Sequence, residues 1–267
     1  MNAKSLLRSG ISLAASLAIA GCGGAAVPEL AEAGASAMQE STAPDFAASL
    51  ASESRAEADR ARDAGRKPAE VIAVLGIEPG VSVLDVMAGG GWYTEVLAIA
   101  VGPDGHVTSQ NSPASLQRRE GANEKALSER LANDRLPNVS RLNKDTHTLT
   151  AEDGQFDAAI TALNLHDIYN SAGEDAAIAT LAAIFTTLKP GAVFGVIDHE
   201  GIDGNDNAAL HRMLKADAIR VVEASGFIVE TDSNVLRSDI DDMTQHVFSE
   251  GIRGYTNRFV LKLRKPE

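Results

Sequence analysis

Val81-Ser-Val-Leu-Asp85-Val-Met-Ala-Gly89-Gly-Gly91-Trp-Tyr-Thr94 decides how this chain reads. An apolar run ends in an acidic residue, breaks into consecutive glycines and passes into a helical pattern. Such a run is a parallel strand buried on both faces, feeding a helix through a tight turn. Glycine lets a ligand approach the backbone, and the start of the helix offers N–H groups with no partner inside it.

Strands and helices alternate outward from this stretch. Upstream, Phe46 to Asp63 reads as a helix and a shorter one opens at Lys67-Pro68 and runs through Leu75. Pro79-Gly80 then turns the chain into the first strand, Val81–Val86. Downstream come a helix over Trp92–Val101, a turn at Gly102-Pro-Asp-Gly105 and a short strand, His106–Ser109. Ser112 caps a helix with Pro113 at its first position. Val139–Leu142 and Phe156–Leu163 are the third and fourth strands. Ile178, Leu181, Phe185 and Leu188 keep helical spacing until Lys189-Pro-Gly191. Ala192–Asp198 is a fifth strand, Leu210–Ala224 a helix, and Phe227–Thr231 and Arg258–Arg264 the closing strands. This alternation predicts a parallel sheet with helices on both faces. Only a loop, Asn234–Tyr255, separates the last two strands, so they can pair antiparallel.

The 267 residues carry 24 basic and 37 acidic side chains, a net charge of −13. A surface so acidic repels phosphate backbones, which excludes nucleic acid as a partner. A single cysteine, Cys22, rules out an internal disulfide and disfavours a Cys/His zinc site. The N-terminus reads as an address. Lys4 and Arg8 precede an apolar Ile11–Ala20 too short to span a membrane. Its end, Ile19-Ala20-Gly21-Cys22, resembles a bacterial lipoprotein signal. That resemblance implies cleavage after residue 21, lipidation of Cys22 and an outer-membrane anchor facing the periplasm. Residues 22–44, rich in Ala, Gly, Ser and Glu, read as a flexible tether. Residues 45–267 form the domain.

The glycine stretch resembles motif I of class I S-adenosylmethionine-dependent methyltransferases. Asp85, Gly89 and Gly91 match the motif, and Met87 stands where its first glycine is usual. The resemblance covers about residues 45 to 267. It is similar to a group of bacterial predicted methyltransferases, many exported, typified by the loop found here as Gly89-Gly-Gly-Trp-Tyr-Thr-Glu95. It continues through Asn164-Leu-His-Asp167, Asp198-His199, His211-Arg212, Leu236-Arg237, Asp241-Asp242 and the terminal Phe259–Pro266. It implies an α/β, Rossmann-like seven-stranded sheet, mostly parallel with an antiparallel C-terminal strand. It also implies S-adenosylmethionine as cofactor and, as methyl acceptor, a small-molecule substrate or a component of the envelope.

Ligands of open α/β sheets bind at the carboxyl ends of the strands. The N–H groups of Gly89, Gly90 and Gly91 are candidates for the cofactor's carboxylate and Asp85 for its ammonium. The second strand should end in an acid for the ribose. It reads Val107-Thr-Ser-Gln110-Asn111 instead, leaving Gln110 or Asn111 as neutral substitutes. By family analogy Asp145 meets the adenine, and Asn164 belongs to the same binding edge. His166, Asp167, Asp198 and His199 are the candidate catalytic residues, two His/Asp pairs on one edge. They could also ligate a divalent ion with His211, but no compact helical pair supports that and no metal is expected. His106, His147 and His246 read as surface or loop histidines, and Trp92 and Tyr93 as wall residues.

An exported enzyme lies apart from cytoplasmic S-adenosylmethionine. A second reading therefore stays open: a fold relative that binds a small ligand or envelope partner without methyl transfer. A nicotinamide-dependent oxidoreductase is disfavoured by the missing ribose acid and the closing hairpin.

Overall fold

The computed structural model describes residues 45–267. Cys22, the signal peptide and the tether expected before it lie outside the described residues. Strands β1 (Ser82–Val86), β2 (His106–Asn111), β3 (Val139–Asn143), β4 (Phe156–Ala162), β5 (Leu188–His199), β6 (Ile228–Ser233) and β7 (Arg258–Arg264) form one sheet in the order β3-β2-β1-β4-β5-β7-β6. The pairs among β1 to β5 are parallel. β7 enters between β5 and β6 and runs antiparallel to both. This is the expected Rossmann-like sheet. The strand order reverses between β1 and β4, and that reversal opens a crevice beyond their carboxyl ends.

Helices α1 (Phe46–Ala51), α2 (Glu57–Arg66), α3 (Pro68–Leu75), α4 (Trp92–Val101), α5 (Pro113–Leu131), α6 (Leu165–Ala172), α7 (Glu174–Thr186) and α8 (Lys215–Ala224) surround the sheet. Successive strand residues point to opposite faces and build two cores. Leu84, Ala159, Phe194 and Leu261 pack with Leu181, Ile184 and Val221 of α7 and α8. Val83, Ile160, Ile197 and Val260 pack with Leu75, Val96 and Leu97 of α3 and α4. Among the described residues no helix is long and apolar enough to cross a membrane.

The structure corrects several expected boundaries. The helix read over Phe46 to Asp63 is two, because the buried Arg55 guanidinium fills the break. It donates to Leu50 O at 2.8 Å and to both oxygens of Asp63. Leu188 is not the last residue of a helix. It starts β5, fully buried beside Phe156, and an irregular register follows where Pro190 could not donate. The helix read from Leu210 begins only at Lys215, since Met213 bridges to Glu200 and His211 takes a φ of 62°. Asn164–Asp167, read as the segment that follows the fourth strand, forms the N-cap and first turn of α6. α5 loses helical geometry from Arg118 to Gly121.

The long β6–β7 loop is held by one buried ion pair. Arg212 donates to Asp241 through two nitrogens, at 3.0 and 2.9 Å, and neither side chain is exposed. Asp241 also accepts from the Asn257 N–H, which fixes the entry to β7. Removing one partner strands the other charge. Arg212→Ala should therefore cost about 3–5 kcal/mol, read as a lower midpoint in urea denaturation.

Candidate functional site

The turn after β1 is satisfied by side chains from the end of β2. Gln110 Oε1 accepts from the Met87 N–H at 2.9 Å, and Asn111 Oδ1 accepts from the Gly89 N–H at 2.8 Å. Asn111 Nδ2 returns a bond to Gly89 O. The Gly91 N–H closes the turn on Ala88 O. Among the described residues the Gly90 N–H alone of the three glycine donors has no partner. Gly91 has a φ of 79°, which strains any other residue, and a Cβ there would meet Leu127 Cδ1 at 2.8 Å, so that side chain would have to shift. Met87, at a φ of 53°, adopts the left-handed conformation without being glycine.

The residues after the glycines brace the turn. Trp92 Nε1 donates to Asp59 O. Glu95, buried, pairs with Arg130 and Arg135. Arg130 also donates to Gly90 O at 3.0 Å and to Asp59. One guanidinium thus ties the turn to α2 and α4.

Asp85 lies at the end of β1, 3 % exposed, and accepts from Thr94 Oγ1 at 2.6 Å. Burial raises its carboxyl from 3.8 to about 7, against the smaller pull of Thr94 and of Arg66. It borders a cavity of about 800 Å³ with Gly89, Gly90, Asn164, His166 and Asp167. Met87, Arg119, Leu163 and His211 also line this cavity, each with a positive φ outside glycine. Backbone strain of this kind gathers at functional sites.

Opposite Asp85, α6 and β5 hold a histidine cluster. Asp198 is fully buried and takes three bonds: the His166 N–H at 2.8 Å, His166 Nδ1 at 2.5 Å and the His199 N–H at 2.7 Å. Those bonds fix the His166 ring and leave its Nε2 without a hydrogen-bond partner. Asp167 Oδ1 lies 3.4 Å from that atom and 3.3 Å from His211 Nε2. Burial opposes a charged His166 ring. The Asp198 charge and hydrogen bond, with Asp167 behind them, outweigh it and raise His166 above 6.5. His199 bonds Thr256 Oγ1 at 2.8 Å, and burial and then Arg258 hold it well below 6.5.

The structure brings Asp85, Gly89, Gly90, Asn164, His166, Asp167 and His199 to one cavity. Asp198 is absent from the cavity lining; it is fully buried and bonded to His166 and His199. Gly91 is buried in the turn. Gln110 is withdrawn from the cavity: fully buried, it spends its amide on Met87, Lys144 O and Thr146. Asp145 borders a separate depression of about 500 Å³ that also touches Met87 and Ile168. His166, Asp167 and His211 offer donor atoms within 4.8 Å of one another, a spacing a divalent ion can bridge. Sequence reasoning missed Asn111 as a clamp and Arg130 as a brace, whereas His246 lies exposed in a loop as read and stacks on His211 at 5.6 Å. Glu95 was the available signal for Arg130, since a buried carboxylate at a helix start needs a cation.

Solved structures resembling this one share its fold. A SAM-dependent methyltransferase from Aquifex aeolicus is 20% identical, with a TM-score of 0.53 over 74% of this chain and 89% of that one. The [4+2]-cyclase SpnF is 19% identical, with a TM-score of 0.56 over 76% and 81%. The S-adenosylmethionine-dependent methyltransferase SibL is 18% identical, with a TM-score of 0.53 over 75% and 55%. No protein-family model matches the chain, and no curated protein matches it. At these identities the likeness speaks for architecture, and the chemistry has to be argued from the site.

Because Asp85 stays protonated to a higher pH in the fold than in the open chain, its ionisation opposes folding. The penalty is absent below about 4 and complete above about 7, where it reaches on the order of 4 kcal/mol. Asp85→Asn should accordingly stabilise the protein at pH 8 and leave it nearly unchanged at pH 4. Urea denaturation at the two pH values reads the difference.

Proposed function

We propose that this protein is an S-adenosylmethionine-dependent methyltransferase acting on a small molecule. The observation that carries the reading is the buried Asp85 carboxyl beside an unengaged Gly90 N–H, facing the fixed His166 ring across one cavity. A carboxyl poised at about 7 is suited to an ammonium, which would ionise it on binding. The Gly90 N–H suits a carboxylate. Ile168 and Asp145 beside Met87 would take the adenine end. When bound, the cofactor supplies a methyl group already activated on a sulfonium. The protein's share is alignment and proton management. Asp198 holds His166 with Nε2 toward the cavity wall, and Asp167 passes the acceptor's proton to that atom. His199, neutral, stays beside it as a hydrogen-bonding group.

Calorimetric titration with S-adenosylmethionine, S-adenosylhomocysteine and NAD tests the reading. Saturable binding of the first two is expected, weakened at least about tenfold by Asp85→Asn, the usual loss of one charge-assisted hydrogen bond. No heat from any of them would favour a ligand-binding relative without methyl transfer. That second reading has an observation behind it, since the fold is shared with a cyclase.

A proton acceptor must first lose its own proton. The kcat/KM for methyl transfer should therefore rise with pH, with a midpoint above 6.5 set by His166. His166→Gln should remove that limb and lower the rate by roughly 10²–10⁴-fold. Inactivation by a chelator, reversed by a divalent ion, would instead assign His166, Asp167 and His211 to a metal.

The leader supports export and a lipid anchor on Cys22, with the domain facing the periplasm from the outer membrane. Cys22→Ser should move the protein from the membrane fraction to the soluble one, read by fractionation. Unchanged partitioning would rule out the anchor.

A further inference from the structure

A second cavity, of about 530 Å³, adjoins the first and shares Arg62, Arg66, Leu163, His199 and Phe248 with it. Arg253 and Arg258 belong to the second cavity alone, and among the described residues no carboxylate lines it. For a chain with a net charge of −13, four arginines around one hollow are a pronounced local reversal.

Their charges are poorly balanced. Among the described residues only Arg62 of the four has a carboxylate partner, Asp59 at 3.5 Å. Arg258 is 4 % exposed, and its guanidinium donates to neutral groups: Thr256 Oγ1 at 3.1 Å, Gly65 O at 3.0 Å and Gly254 O. Arg66 lies over the Trp92 ring at 4.6 Å with no ion pair among the described residues. Burial first, and then the neighbouring Arg62 charge, lowers Arg66 to about 10, and burial lowers Arg258 as well. Arg258 is buried and Arg66 half-buried; keeping such charges desolvated and unpaired is costly, and a bound anion would relieve the cost. Phe248 and Tyr255 add an aromatic wall.

We propose that this second cavity binds the acceptor, and that the acceptor is a small anion carrying a carboxylate or phosphate on an apolar or aromatic body. The acceptor role rests on the methyltransferase reading; the anion site itself does not. His199, on the shared wall, is the residue the acceptor meets next to the donor cavity.

Trp92 is the chain's single tryptophan, and its contact with Arg66 makes its fluorescence the readout. The purified protein is titrated, without any methyl donor, with benzoate, phenyl phosphate and neutral benzamide. Saturable emission changes are expected with the two anions and none with benzamide. The tighter of the two anions tells carboxylate from phosphate. Arg253→Met replaces an exposed side chain that lies over the Phe248 ring and has no ion pair among the described residues, so the fold should tolerate it. It should weaken the anion about tenfold while leaving S-adenosylhomocysteine affinity unchanged. No saturation with either anion, or equal response to benzamide, would overturn the proposal. So would anion affinity lost in Arg66→Met but kept in Arg253→Met, which would put the anion in the donor cavity. Anion binding without any heat from S-adenosylmethionine would keep the anion site and remove the methyltransferase reading.

Discussion

The backbone leaving β1 must find hydrogen bonds outside any helix or sheet, and the rest of the site depends on how it does so. A buried peptide group without a partner is expensive. Gln110 and Asn111 meet that demand by reaching across from β2 to Met87 and Gly89. Their amides hold the turn open at a set height above the sheet, and Arg130 holds it from the helical side. With the turn fixed, Asp85 borders the crevice, and among the described residues only the Gly90 N–H of the three glycine donors has no partner.

The same region concentrates electrostatic cost. A carboxyl buried at the end of β1 and, among the described residues, arginines without a carboxylate partner work against the folded state near neutral pH, and the buried His199 does so once the pH falls below its ordinary value of 6.5. Other arginines are paired near the surface: Arg141 with Glu124, Arg220 with Glu174 and Arg264 with Glu230. Charges that oppose folding but stand ready for a ligand's charges distinguish a binding crevice from ordinary surface polarity. Asp198 is the exception within the site. It gathers three donors, so the His166 ring is fixed before any ligand arrives.

Much of the fold was legible because local rules and tertiary packing agree. The Trp92–Val101 helix and the Arg258–Arg264 strand stand where periodicity and turn chemistry put them. The disagreements have local causes. Leu188 keeps helical spacing but pairs with Phe156, because the sheet wins a fully buried leucine. The helix from Leu210 is cut short by a bridge and an ion pair to residues far along the chain. Of the candidate residues, most converge as the motif's order suggests, since the carboxyl ends of neighbouring parallel strands are obliged to meet. Gln110 was legible as polar at the right strand end. Its direction was not, because the competing demand came from the Met87 peptide rather than from a ligand.

Sequence alone determined the alternation of strands and helices, the glycine turn after β1 and the acidic surface, because each follows from composition and spacing within a few residues. Only the tertiary structure decided which amides serve the turn, which histidine nitrogen is left without a partner and which arginines share a hollow without a carboxylate. Those outcomes depend on desolvation and on partners tens to hundreds of residues away, and no local pattern records them.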